Sequence, residues 1–275
     1  MTIRTSATEM SGGRVPDRKA STVPDSACVE FENVSYGKDG TPIIDRISFQ
    51  FRERRVGIVG LNGSGKTTLA RLVCGLIKPT GGRVVINGSN VTEDRRSALE
   101  LVGMVFQNPD HQIIFPTVQE EIAFGLTQKG LRQSEANGRA LEILDEFGRA
   151  DWAERAIQTL SQGQRHLVCI MAVMAMRPSL LVLDEPFSGP DMPTVRQLHR
   201  QLDRLEVSQL LITHDLQYLE AFERVIWIDR GHIRKDGPAG SVLDEFSAEI
   251  DRLSDLDAFT DLTNQDTLSP HSTGD

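Results

Sequence analysis

The stretch Gly60-Leu61-Asn62-Gly63-Ser64-Gly65-Lys66-Thr67-Thr68 decides how the rest of this 275-residue chain is read. It fits G-x-x-x-x-G-K followed by Ser or Thr, and it stands in the context that motif requires. Before it, "RRVGIVG" is a short apolar run suited to a strand buried on both faces; after it, "KTTLARLVCGLI" carries apolar residues at helical spacing as far as "KPTGG". Glycines let successive backbone N–H groups curl around phosphate oxygens, and the following helix adds the positive end of its dipole. In such a cradle Lys66 reaches the β and γ phosphates, and the Thr67 hydroxyl sits on Mg²⁺.

About a hundred residues further on, "LLVLDEP" ends an apolar run in two acids. Carboxylates at the end of a buried strand are costly unless something there needs them, and a magnesium nucleotide does. Asp184 is the candidate for the Mg²⁺ shell and Glu185 for polarising the attacking water.

The chain outside these motifs reads as one α/β domain with tails. Residues 1–27, rich in Ser, Thr, Gly, Pro and Arg without an apolar period, are expected to lack order. Ordered sequence begins at 28. "CVEFENVSY" and "IDRISFQF" alternate at period two around the turn-like "GKDGTP", an antiparallel hairpin pattern. "GRVVING", "LVGMVFQ", "SLLVLDEP", "QLLITHD" and "RVIWIDRG" read as further strands, and a mostly helical insertion is expected over about 109–165, with a helix starting near Val118. Strands alternating with helices imply a mostly parallel sheet covered on both faces. The expected domain spans 28–247, and 248–275 form an acidic tail whose seven acids and single arginine carry −6 of the net charge of −9.

That charge and the lack of basic stripes argue against nucleic-acid partners. Cys28, Cys74 and Cys169 form no CxxC pair and fit a reducing compartment as ordinary small side chains. "LVCIMAVMAM", the longest apolar run, is far short of the ~20 residues of a membrane span, so the chain is expected to be soluble by itself. His111 has no companion ligands nearby and reads as a surface histidine.

The order GLNGSGKTT, VFQ, LSQGQ, LVLDEP, SGPD and LLITHD, over about residues 29–240, resembles the ATP-hydrolysing subunit of an ATP-binding cassette (ABC) transporter. The resemblance implies a P-loop NTPase fold of the ABC ATPase type: a mostly parallel RecA-like sheet, an N-terminal antiparallel β subdomain and a helical subdomain insertion. It implies that Asn62, Gly63, Ser64, Gly65, Lys66, Thr67 and Thr68 hold ATP, with Mg²⁺ on Thr67, Asp184 and Gln107. Gln107 then senses the metal and the attacking water, Glu185 is the base, and His214 contacts the γ-phosphate. Tyr36 stacks on adenine, in a pattern one residue shorter than usual. Ser161, Gly163 and Gln164 meet the nucleotide of a second ATPase subunit, and Asp191 lies in the loop joining the two sites. Gln162, where glycine is usual, and Pro190, where leucine is usual, depart from the family pattern and put the coupling of the dimer in question.

"VFQNPDHQIIFPTVQEEIAFG" is similar to ATPases of energy-coupling factor (ECF) importers, most like those for biotin, with the cobalt and nickel type next. That implies a membrane-embedded coupling subunit, a substrate-binding membrane subunit and a place on the cytoplasmic face of a bacterial cell membrane. The alternatives are a conventional ABC importer or exporter subunit, and a soluble cassette ATPase acting on nucleic acid or ribosomes. The second would bring a paired cassette or a long coiled-coil insertion, and neither is found in the sequence.

Overall fold

A computed structural model describes residues 26–266, with side chains through 255. Residues 1–25, most of the segment expected to lack order, lie outside the described residues, as do 267–275 at the end of the acidic tail.

The first strands, β1 (Val29–Lys38) and β2 (Thr41–Phe51), form the expected antiparallel hairpin. Its turn, Asp39 and Gly40, has φ of 51° and 79°, the doubly left-handed geometry that matches the twist of a tight hairpin. After β3 (Arg55–Val59) come α1 (Lys66–Val73), β4 (Gly81–Ile86), β5 (Ser89–Asn90), α2 (Arg95–Leu101) and β6 (Val102–Val105). The helical body holds α3 (Val118–Gln128), α4 (Gln133–Glu146) and α5 (Gln162–Ala175). The chain then runs through β7 (Leu180–Asp184), α6 (Met192–Arg204), β8 (Ser208–Ile212), α7 (Leu216–Leu219), β9 (Arg224–Asp229), β10 (His232–Gly237) and α8 (Ala239–Asp266).

Two sheets result. One is antiparallel, in the order β2-β1-β4-β5; the other runs β10-β9-β3-β8-β7-β6, parallel except for β10 against β9. The parallel strands read as continuous apolar runs because successive residues serve different cores. In β7, Leu180 and Val182 face the core beneath the antiparallel sheet and α1, while Leu181 and Leu183 face the helical side. Val225 and Trp227 of β9 divide from Ile226 and Ile228 in the same way. Burying each such side chain contributes about 1.5–3 kcal/mol.

The start of α3 at Val118 follows from a capping box, with Thr117 and Glu120 exchanging side-chain and backbone bonds. At the other end of the insertion, residue 165 falls inside α5, which runs unbroken from the helical body toward β7. The acidic segment placed at 248 likewise begins inside α8, whose earlier residues Val242, Leu243 and Phe246 are buried. Among the described residues no helix is long and apolar enough to cross a membrane.

Candidate active site

Three parallel strands, β3, β7 and β8, end around one cavity of about 470 Å³. Ligands of open α/β sheets gather at this end of the strands. The glycine loop forms its floor. Gly60 packs so closely that a Cβ would fall 2.2 Å from the Ile228 carbonyl oxygen, whereas at Gly63, with φ of 77°, a Cβ would meet nothing within 4 Å. The first glycine seats the loop on the sheet, and the second leaves backbone open toward the cavity.

Ser64 Oγ is buried here without a hydrogen-bond partner. Lys66, also buried, donates to the carbonyls of Gly60 (2.8 Å) and Leu61 (3.0 Å), and burial lowers its pKa. An orphaned hydroxyl and a cramped ammonium are what a phosphate would satisfy. Thr67 Oγ1 donates to Asp184 Oδ1 at 3.3 Å, and Gln107 lines the same cavity. These neutral and anionic oxygens are a donor set suited to Mg²⁺.

Glu185 follows β7 at φ 50°, a left-handed conformation that strains a non-glycine residue. Its N–H donates to the Ile212 carbonyl at 2.9 Å, which fixes it beside the end of β8. His214 approaches from there: Nε2 stands 3.1 Å from Glu185 Oε1 without hydrogen-bond alignment, and its backbone N–H donates to Oε2 at 3.4 Å. Burial pushes the Asp184 and Glu185 carboxyls above the ordinary carboxylate range, Thr67 and His214 respectively pulling the other way. A carboxylate of raised pKa, held by its backbone at the edge of a phosphate-sized cavity, is equipped to take a proton from water.

Eleven of the residues singled out in sequence line this cavity: the run from Asn62 to Thr68, together with Gln107, Asp184, Glu185 and His214. The others stand elsewhere. Ser161 caps α5, accepting from the Gln164 N–H at 3.3 Å, while its own N–H donates to Gln164 Oε1 at 3.0 Å. With Gly163 and Gln164 it borders a separate, smaller cavity of about 170 Å³ beside Arg149 and Trp152. Asp191 caps α6 through the Thr194 N–H at 3.0 Å. Tyr36 lies half-buried in β1 against the core, away from the phosphate cavity, and His111 is exposed.

Ile43 and Ile212, which also line the cavity, went unread, because both belong to strands whose apolar pattern marks them as ordinary core. The grip of α5 on the loop after β6 went unread as well. His166, fully buried, donates from Nε2 to the Gln107 carbonyl at 3.1 Å, and Arg165 pairs with Asp110 at 3.1 Å.

A glycine cradle after β3 and a strained acid after β7, meeting at the same end of one parallel sheet with β8 between them, define a P-loop ATPase. Residues 44–188 match the ABC transporter family. The biotin transport ATP-binding protein BioM of Rhodobacter capsulatus is 46% identical over 226 residues, 82% of this chain and 97% of that protein. The energy-coupling factor transporter ATP-binding protein EcfA of Methanothermobacter thermautotrophicus is 36% identical over 76% of this chain and 70% of its own. Among solved structures, cbiO1 of Clostridium perfringens, part of the ABC transporter complex cbiONQ, superposes with a TM-score of 0.71 at 26% identity, covering 86% of this chain and 98% of its own. A dimeric ATP-binding cassette bound to ADP and Pi does so with a TM-score of 0.67 at 25% identity, over 77% of this chain and 98% of its own. The chain belongs to the ABC transporter family, as an ATP-binding subunit of the ECF type. It is an ATPase that uses ATP with Mg²⁺ and couples hydrolysis to transport.

Proposed function

We propose that this chain powers uptake of a vitamin, biotin before any other, as one of two ATPase subunits on the cytoplasmic face of a membrane transporter. The observation that carries the two-subunit reading is the separation of the phosphate cavity from the Ser161–Gln164 cap, which border different cavities of one chain. Two copies, or two related chains, facing head to tail would bring the cap of one over the nucleotide of the other. Support for the substrate is the 46% identity to the R. capsulatus biotin transport protein.

In the proposed cycle, Lys66 and the loop amides hold the β and γ phosphates, with Thr67, Asp184 and Gln107 as the candidate metal shell. Mg²⁺ would neutralise charge on the phosphate oxygens. Glu185 takes the proton of the attacking water, and His214 holds the carboxylate and meets the γ-phosphate. ATP contacts drive closure, and hydrolysis reopens the pair.

The membrane contact is assigned to the loop between Gln107 and α3. Ile114 there is 69% exposed, while Ile113 packs on the helical core and Phe115 on Phe124 at 5.0 Å between ring centroids. Of the three apolar side chains in "IIF", Ile114 is therefore the one offered to a partner, and an amphipathic helix of the coupling subunit is its assigned occupant. The test is co-purification with the membrane subunits encoded for this transporter, followed by uptake of radiolabelled biotin, cobalt and nickel by the complex in vesicles. Biotin uptake is expected; metal uptake without biotin overturns the substrate. Ile114→Ser should leave stability within about 0.5 kcal/mol of the parent and reduce co-purification, and normal assembly by that variant removes the docking loop.

A further inference from the structure

The first turn of α5 presents Ser161, but it also holds two loops of its own chain. Arg165 and His166 take the loop after β6, through Asp110 and the Gln107 carbonyl. Gln162 takes the loop after β7. Its Nε2 donates to the Ser188 carbonyl at a long 3.4 Å, and a Cβ built on Gly189 would fall 2.5 Å from that nitrogen. The three atoms nearest to that point all belong to the Gln162 amide. Ser188 in turn donates its N–H to the Glu185 carbonyl at 3.2 Å. The first five residues of α5 thus touch the loop of Gln107 and the loop that leads from Glu185 to Asp191.

Gln162 and Pro190, the two departures from the family pattern, converge on this spot. Pro190 Cβ lies 3.6 Å from where a Cβ on Gly163 would be, and Gly189 between Ser188 and Pro190 has φ of 104°. Glycine in a left-handed turn has many other conformations to visit, and each must be given up whenever the turn is ordered against a partner. The Gln162 amide covers Gly189, and the pyrrolidine ring fixes φ of the next residue. Both devices stiffen the same turn.

We infer that Gln162 is a positioning residue that ties the Ser188–Pro190 turn to the cap of α5, so that Ser161 and Asp191 meet a facing subunit as one preformed surface. The inference rests on the head-to-tail reading above. Preorganisation of this kind lowers the ordering cost of association and leaves the chemical step alone. Gln162→Gly should therefore weaken closure more than turnover.

The experiment measures dimer formation against ATP concentration by light scattering in a Glu185→Gln background, with and without Gln162→Gly. The ATP concentration for half-maximal closure is expected to rise about 3- to 10-fold. With Glu185 intact, Gln162→Gly should raise KM for ATP by a similar factor and change kcat less than about twofold. Gln162→Met, which refills the space over Gly189 without a donor, should recover most of the loss. Binding of a fluorescent ATP analogue to the dilute single chain should not move, and its Tm should fall by no more than about 2–4 °C, the cost of a glycine in a helix. Unchanged closure on Gln162→Gly overturns the inference, as does a loss matched by weaker binding to the single chain or by a Tm lowered beyond that range. If Glu185→Gln alone fails to close with ATP, the two-subunit reading falls and this inference falls with it.

Discussion

The cavity above the glycine loop and the cap of α5 are both built at the start of a helix, yet they are opposite constructions. The cavity is lined by buried charge: Lys66, Asp184 and Glu185 carry burial-shifted pKa values, and their partners come from the same chain. The cap is exposed at Ser161, its hydroxyl and backbone are satisfied by Gln164, and Asp191 nearby is held below the usual carboxylate range by the Thr194 side chain and N–H. One region stores unfavourable desolvation that a ligand can relieve. The other is at rest alone and has a surface to offer. In the proposed head-to-tail pair, the catalytic cost would therefore concentrate in one half of the shared site.

The sharpest way to break this contrast is Glu185→Gln. It keeps shape and removes the base, so kcat should fall by about 10²- to 10⁴-fold with ATP binding retained, as measured by steady-state hydrolysis and nucleotide titration. A rate near that of the parent would strip Glu185 of its role. In the parent, the raised Glu185 pKa of the nucleotide-free chain should place the acidic limb of the kcat/KM profile above the range of a free glutamate. Leu183→Ala tests whether the cavity depends on its own strand: Leu183 is fully buried beside Asp184, and truncation should cost about 2–5 kcal/mol in urea unfolding. Ser161→Ala should cost about 1 kcal/mol as a lost cap, leave ATP binding by the single chain intact and abolish ATP-driven dimerisation; closure at normal ATP concentrations would show that the cap is merely structural.

The smallest effect sharpens the contrast most. Asp184 ionises at higher pH in the folded chain than in the unfolded one, so stability falls as pH rises through that window, and above it burial of the charge outweighs what Thr67, Arg71 and Lys66 return. Asp184→Asn should then raise the Tm of the nucleotide-free protein at pH 7.5, by an amount that shrinks as pH is lowered. An equal gain at every pH would mean that desolvation is not the cause. Hydrolysis should be lost in the same variant.

These two regions were also unequally readable. Lys66, Thr67, Asp184 and Glu185 announce themselves by physics, since a glycine run between strand and helix and paired acids after an apolar strand have few other uses. Ser161 could be read as a helix cap from its type and neighbours, but its facing another subunit came from resemblance alone, because no periodicity records what lies across an interface. The parallel strands were legible as uniform apolar runs. The short α2, β10 and the start of α8 were not, because they follow from tertiary context: β10 reads as alternating polar residues paired with β9, and α8 gains its buried face by lying on that hairpin. Gln162 was legible only as an oddity, until its amide was seen covering Gly189.

Glu185 sits in a backbone conformation that only glycine adopts freely. Replacement by glycine would relieve that strain and remove a buried carboxyl at one stroke. A screen that ranks variants by thermal survival, or a random library selected for expression, should thus enrich Glu185→Gly among its winners and deliver chains that have lost their motor. The position is a place where selection for robustness and selection for work pull one codon in opposite directions, so its retention in an evolving population would report that hydrolysis is in use.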